Sequence, residues 1–369
     1  YQISDIYGLQ GAGSSGMLAK SYTLANNIDA SGTSAWNGGA GFKPIGSESS
    51  AFTGSLDGAG HTISGLTISR PGTNDVGLFG YTSGATLANM GLTNLVVSGA
   101  GDVGGLVGEH INGSITNAYT IGTVNGLASV RVGGLVGYNS GGSIGNSYAA
   151  VSVNGGGQVG GLLGTNSGTI SNSYATGSAY GSGGFVGGLS GTNSGTINNS
   201  YATGSVTGGS NLGGLVSFNN GSITSSYWDT QTSGQATSAG GTGLTTAQMK
   251  DASNYSTWDT TTVWYLNGGQ SAPLLRSFLT ELTVSADAAS KVYDGTTAAT
   301  FSNITYTPAS GVFDAAKVGG TLAGTGKNVG SHDLTGLYTT SQQGYLIDYD
   351  PAATLTITPR ALTASVTAA

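Results

Sequence analysis

Apolar residues alternate with small polar ones in short runs, and the runs return at a nearly constant interval. VGGLVG at Val103–Gly108 comes back at Val132–Gly137, as VGGLLG at Val159–Gly164, as VGGLSG at Val186–Gly191 and as LGGLVS at Leu212–Ser217. A weaker form, VGLFG, stands at Val76–Gly80. Each copy leads through a turn into GSITNAY, GSIGNSY, GTISNSY, GTINNSY or GSITSSY. These place isoleucines at Ile115, Ile144, Ile170, Ile197 and Ile223, and tyrosines at Tyr119, Tyr148, Tyr174, Tyr201 and Tyr227, the latter spaced 29, 26, 27 and 26. An asparagine recurs every 27 residues between them, at Asn112, Asn139, Asn166, Asn193 and Asn220. A period of two marks strands, and Asn-Ser-Gly and Asn-Gly clusters mark turns that accept positive φ. One unit therefore reads as three short strands: VGGLVG, the Ile-to-Tyr run, and a third after ATG, as at Ser205–Thr207.

Such a unit has one apolar side and buries it by stacking on copies of itself. The predicted fold is all-β: a parallel β-helix of ~27-residue coils, each strand ~4.8 Å from its copies, followed by a small all-β domain. Like residues then stack in ladders of leucine (Leu106, Leu135, Leu162, Leu189, Leu215), isoleucine and tyrosine, with an inward asparagine column that bonds along the axis. The glycine pairs are expected where the coil bends or backbones approach closely. A propeller blade needs roughly 40 residues and is excluded by the period.

The texture changes at both ends. Residues 1–50 are expected to cap the first coils, residues 51–227 to form the β-helix and residues 228–277 to close it. The closing segment contains LTTAQMKDAS, expected as a short helix with a threonine N-cap, and acids at Asp229, Asp251 and Asp259 that suit turns and caps. Residues 278–369 alternate again without the repeat. Their end, ITPRALTAS, is similar to their opening, ELTVSA, which predicts a further copy beyond this chain.

Composition narrows the chemistry. Of 369 residues 68 are glycine, 37% are hydrophobic and only 7% are charged, for a net charge of −7, so no basic surface is offered to nucleic acid or anionic lipid. The chain has no cysteine, which removes disulfides, thiol catalysis and thiolate metal sites and suits export. No apolar run approaches the ~20 residues of a membrane span, and the chain reads as an excerpt of a longer polypeptide.

The repeated G-G-L-V-G strand resembles the GLUG motif of large bacterial surface proteins. The run YTLANNIDAS, GFKPIG, FTGSLDGAGHTISGLTI and VGLFG resembles the segment introducing such arrays in filamentous-haemagglutinin-type exoproteins, and KVYDGTT with ATLTITPRALT resembles the YDG/MBG module. The resemblance implies a right-handed β-helix in a two-partner-secreted adhesin at a Gram-negative cell surface. It implies host or biofilm glycans or proteins as ligands and an outer-membrane transporter as export partner. A monomer and no cofactor are expected.

Parallel β-helices also carry polysaccharide-processing enzymes, which need clustered carboxylates. From Ile111 to Trp228 there is no Asp or Glu, and Arg131 is the one basic residue, so the regular coils offer no catalytic groove and no catalytic residue is assigned. Asp102, Glu109 and His110 lie together at the first full coil, with Asp57 and His61 a coil or two earlier; these five are the candidate binding or catalytic neighbourhood, against the plainer reading as turn and solvent residues. Asp348 and Asp350 are a weak calcium candidate. The tyrosines make either a buried ladder, the favoured reading, or an exposed platform for sugar rings. Three roles remain, ranked adhesin, spacer, enzyme.

Overall fold

The computed structural model describes residues 1–126 and 131–362, and is an all-β chain: a parallel β-solenoid followed by a small β domain. The chain divides into two compact units, Tyr1–Trp258 and Asp259–Ala369. The segment expected as one cap, 228–277, is thereby split, residues 228–258 lying with the solenoid and 259–277 with the second unit. Residues 363–369, which hold the end of the ITPRALTAS run, lie outside the described residues.

Each coil has three faces, and every pairing between the strands of different coils is parallel. Face 1 stacks Asp102–Gly104, Arg131–Gly133, Gln158–Gly160, Phe185–Gly187 and Asn211–Gly213. Face 2 stacks Phe79–Ser83, Val107–Ile111, Val136–Ser140, Leu163–Asn166, Ser190–Asn193 and Val216–Asn219. Face 3 carries the isoleucines and tyrosines, with Ile115, Ile144, Ile170, Ile197 and Ile223 in one register column. VGGLVG is therefore not one strand but a corner: its first Val-Gly ends face 1, Gly-Leu bends, and its last Val-Gly opens face 2. At Gly134 in this bend a Cβ would lie 2.2 Å from the Gly161 carbonyl oxygen of the next coil, so only hydrogen fits.

The Ile-to-Tyr run is likewise broken in most coils. Asn117, Asn146, Asn172, Asn199 and Ser225 hold φ between 44° and 51°, the left-handed conformation that asparagine tolerates best after glycine. The turn that follows lets a serine point inward. Ser147, Ser173 and Ser200 each give their hydroxyl to the carbonyl two residues back and accept the backbone N–H of the preceding coil, at 3.1–3.2 Å. A serine ladder thus satisfies the amides that the bend leaves without sheet partners.

One hydrophobic core runs from Ile3 to Trp228, with Leu106, Leu135, Leu162, Leu189 and Leu215 fully buried in it. Tyr119, Tyr148, Tyr174 and Tyr201 are buried too, in a parallel stack with centroids 4.8–5.0 Å apart and planes within 3°. That spacing is the sheet repeat itself, so one backbone register sets both strand pairing and ring stacking. Tyr227 is half-buried and leaves the parallel stack, its place over Tyr201 taken by Trp258 at 6.3 Å.

The asparagine column differs from its predicted membership. It runs Asn139, Asn166, Asn193 and Asn219, each Nδ2 donating to the next Oδ1 at 2.9, 2.8 and 2.7 Å. Above it stand His110, the register partner of Asn139, and Thr82, the register partner of His110. Asn112 and Asn220 lie outside the column: Asn112 is an exposed turn residue at φ 49°, and Asn193 pairs with Asn219. The uniform interval of 27 ran across one coil of 29 and one of 26 and compensated for neither.

The solenoid is capped at both ends. Asp5 caps the six-residue helix Ile6–Gly11 by accepting from the Gly8 amide, and Ile6 and Leu9 cover the first coil. At the other end the column Ala149, Ala175, Ala202 finishes in Trp228, whose large ring closes the interior. The helix expected in LTTAQMKDAS is replaced by two 3₁₀ turns, Gln248–Lys250 and Ala252–Tyr255. Thr245 and Gln248 still exchange capping-box bonds, but Asp251 is extended and ends the first turn by capping the second. Asp229 and Asp259 accept backbone amides in turns.

In the second unit Thr280–Ser285 pairs antiparallel with Thr305–Pro308 and parallel with Tyr345–Tyr349. Gly330–Thr339, Thr354–Thr358, Val318–Gly324 and Ala289–Val292 form a second sheet, over a core of Leu282, Val284, Leu322, Leu334 and Tyr345. The KVYDGTT sequence is a closed turn: Lys291 pairs with Asp294 at 2.7 Å and donates to the Thr296 and Ala298 carbonyls, while Gly295 takes φ 79°.

Candidate functional site

Outward positions on either side of the VGGLVG corner form two facing columns. On face 1, Asp102 and Arg131 are register partners, and the Val76–Val103 bridge places Asp75 one coil before Asp102. On face 2, Tyr81, Glu109 and Tyr138 are register partners. The carboxylates of Asp75, Asp102 and Glu109 lie within 4.8 Å of one another. Arg131 grips Asp102 with two bonds of 2.6 Å, and its guanidinium lies 3.8 Å over the Tyr138 ring.

Burial raises all three carboxyls, and repulsion from neighbouring carboxylates adds to it at Asp75 and Glu109. Burial, then the charges of Asp102 and Glu48, push Asp75 up to about 6 against the pull of Arg131. Burial, then Asp102 and Asp75, push Glu109 up to about 7. Asp102 is raised as well, because burial outweighs the Arg131 pair. One guanidinium facing three carboxylates leaves the group over-supplied with negative charge, so it retains protons near neutrality. Both Asp102 oxygens are taken by Arg131, which leaves Asp75 and Glu109 as the groups able to exchange a proton.

The five residues singled out in the sequence do not form one site. Asp102 and Glu109 come together. His110, one residue on, points inward, where its Nδ1 meets the Thr82 hydroxyl at 2.8 Å and burial lowers its pKa to about 4. Its Nε2 and the Oδ1 of Asn139 are buried and lack hydrogen-bond partners. Asp57 is exposed on the strand Ser55–Asp57, accepting from Ala59 and Asn89, and His61 is near Asn27 at 3.3 Å. Both sit on face 3 rather than beside the face 1–face 2 corner. Asp348 accepts its neighbour's amide, and Asp350 is held by Ser285 and the Ala352 amide; neither joins a metal-sized cluster among the described residues.

Asp75 and Arg131 were the residues missed, and a signal for both is present. DVGLFG, DVGGLVG and RVGGLVG start with Asp75, Asp102 and Arg131 in the same position of the repeat, so the three must stack.

Residues 128–154 and 155–180 match the GLUG motif, and residues 279–352 match the YDG domain. The chain carries both modules. The GLUG matches fall on the coils that contribute Tyr148, Tyr174, Asn139 and Asn166 to the ladders, and the YDG match falls within the second compact unit. Halomucin of Haloquadratum walsbyi is 47% identical over 133 residues, covering 34% of this chain and 1% of that much longer protein. Among solved structures, a Bacteroides ovatus protein assigned as an immunoglobulin A1 protease superposes with a TM-score of 0.56 over 75% of this chain and 92% of its own. At 21% identity that likeness is one of fold. No helix among the described residues is long and apolar enough to cross a membrane.

Proposed function

We propose that this chain is a display segment of a large secreted or surface protein that attaches cells to a host surface or a biofilm matrix. The observation carrying this reading is the joining of GLUG coils to a YDG domain in a chain with halomucin-like sequence. The ladders support a rigid rod. Its coils from Gln158 to Asn219 carry hydroxyls and amides and no charged side chain, a surface suited to many weak polar contacts with glycans or proteins. The YDG domain acts as a spacer or second binding module. Export by a two-partner route through an outer-membrane transporter belongs to the same proposal.

The carboxylate cluster fits this role better than hydrolysis. Asp102 is locked by Arg131, and the column Asp75–Asp102–Arg131 ties three successive coils together. Binding of the purified chain to arrays of host glycans, bacterial exopolysaccharides and matrix proteins tests the proposal. Saturable binding supports attachment, and its absence across all three arrays assigns the chain to a passive stalk. Polymer turnover that disappears in Glu109→Gln would replace both readings with an enzymatic one.

A further inference from the structure

The N-terminal end of the solenoid holds a cleft made of two adjoining hollows. Gln10, Ser14, Ser15, Trp36, Asn37 and Lys43 line the first. The second shares Gly13, Ser15 and Lys43 with it and runs on to Ser47 and Ser50. The two together offer an elongated trough rather than a single pocket.

Its chemistry is selective. Lys43 is the one charged residue lining either hollow, in a chain whose net charge is −7. The Gln10 amide donates to the Lys43 carbonyl at 3.0 Å and accepts the Lys43 amide at 2.9 Å, fixing the backbone so that the exposed ammonium is carried at a set place. Among the described residues that ammonium has no ion-pair partner. Asn37, at φ 52°, spends its Nδ2 on the Gly41 carbonyl and keeps its Oδ1 as an acceptor. The exposed hydroxyls of Ser14 and Ser15 add groups that both donate and accept. Trp36 stands half-buried at one end, backed by Phe42 and joined at 5.1 Å by Tyr7, which is 72% exposed.

An aromatic surface beside hydroxyl and amide groups matches the alternation of C–H faces and hydroxyls on a pyranose, and an isolated ammonium matches a carboxylate. We infer that this trough binds an acidic saccharide of uronate type, with Lys43 holding the carboxylate, Asn37, Ser14 and Ser15 the hydroxyls, and the Tyr7–Trp36 surface a ring face. The inference rests on the surface-attachment reading and gives it a place and a ligand class.

Calorimetric titration of the full chain with galacturonate and mannuronate hexamers, and with their neutral methyl esters, tests it. At least one acidic hexamer is expected to bind saturably. Its ester is expected to bind about tenfold more weakly or worse, and Lys43→Met to lose the same factor with an unchanged melting temperature. Tyr7→Ala should weaken both forms by a similar factor. Equal binding by Lys43→Met, or equal binding of acid and ester, overturns the site while leaving an attachment role standing. No binding of either acid up to roughly 5 mM overturns the inference outright, and only failure on the wider glycan and protein arrays would overturn the attachment reading with it.

Discussion

Two stretches of the same rod share a backbone and differ in chemistry. From Gln158 to Asn219 the outward columns continue Asp102 and Arg131 as Gln158, Phe185 and Asn211, and continue Glu109 and Tyr138 as Thr165, Thr192 and Phe218. The inner column changes with them, from Thr82 and His110 to asparagine alone. Corners, glycines, leucines and isoleucines stay in place. The coil geometry therefore fixes which positions face each other, and the chain is free to write uncharged ladders or an ionisable cluster at those positions. The coils from Gln158 onward spend that freedom on uniformity; those from Asp75 to Tyr138 spend it on charge.

The comparison breaks most easily at the shared parts. Tyr174→Ala opens a gap in the middle of the ring stack and should cost about 3–5 kcal/mol, seen as a lower midpoint in thermal or denaturant unfolding. An unchanged midpoint would mean the ladder does not hold the coils together. Next in size is Asn166→Ala, which takes from the Asn139 Nδ2 one of its two acceptors and from the Asn193 Oδ1 its donor inside the rod. About 1–3 kcal/mol should be lost per buried group left unpaired, read from the same unfolding curve.

A smaller and opposite effect is expected where the two stretches meet. His110→Asn would extend the uniform ladder by one coil and give the orphaned Asn139 Oδ1 a donor. A gain of about 0.5–1.5 kcal/mol is expected at neutral pH, and a loss would show that the imidazole fills space an amide cannot. The substitution also changes the pH response. His110 titrates near 4 in the fold and near 6.5 when unfolded, so from pH 6.5 down to 4 the unfolded chain takes up a proton that the fold refuses. The His110 contribution to stability falls as pH drops through that window, so the parent should lose stability relative to His110→Asn between pH 6.5 and 4.

The charged columns give the reverse slope. Glu109 titrates at about 7 in the fold against 4.5 when unfolded, and Asp75 at about 6 against 3.8. Between these limits the fold holds protons that the unfolded chain releases. Their stabilising contribution is complete below the unfolded values and disappears as pH rises through 6 to 7. Glu109→Gln should flatten the fall between pH 5 and 7 in a pH series of melting temperatures. A parent slope that survives Glu109→Gln unchanged would remove the cluster as its source. Both groups are partly solvated, so this is the smallest of the four effects.

Much of the rod was legible before any coordinates. Period, strand character, and the leucine, isoleucine and tyrosine columns follow from apolar spacing, because every coil must bury the same positions. The polar columns were harder. Whether an asparagine faces in or out depends on the bend beside it, and two asparagine columns compete in each coil. One, at Asn146 and Asn172, supplies left-handed corners; the other, at Asn139 and Asn166, faces inward. Following the intervals of the corner residues Val103, Val132, Val159, Val186 and Leu212, which are 29, 27, 27 and 26, rather than a constant 27 would have moved the inner column to His110 and Asn219. The serine ladder was hidden for the same reason, since serine before tyrosine reads as solvent-facing until the corner turns it inward. The Asp75–Asp102–Arg131 column was visible in the repeat, but Glu109 joins it only because the corner folds face 2 back against face 1.

The asparagine ladder also has a direction. Every amide in it hands its N–H onward and takes one on its carbonyl, so each rung presents the same pair of surfaces above and below. Removing a whole rung, or adding one, joins a donor to an acceptor just as before, and the tyrosine and serine stacks close in the same step. The length of the rod is then a number that gene duplication can change one coil at a time, with the plugs at Trp228 and the Asp5 helix untouched and no redesign of the fold.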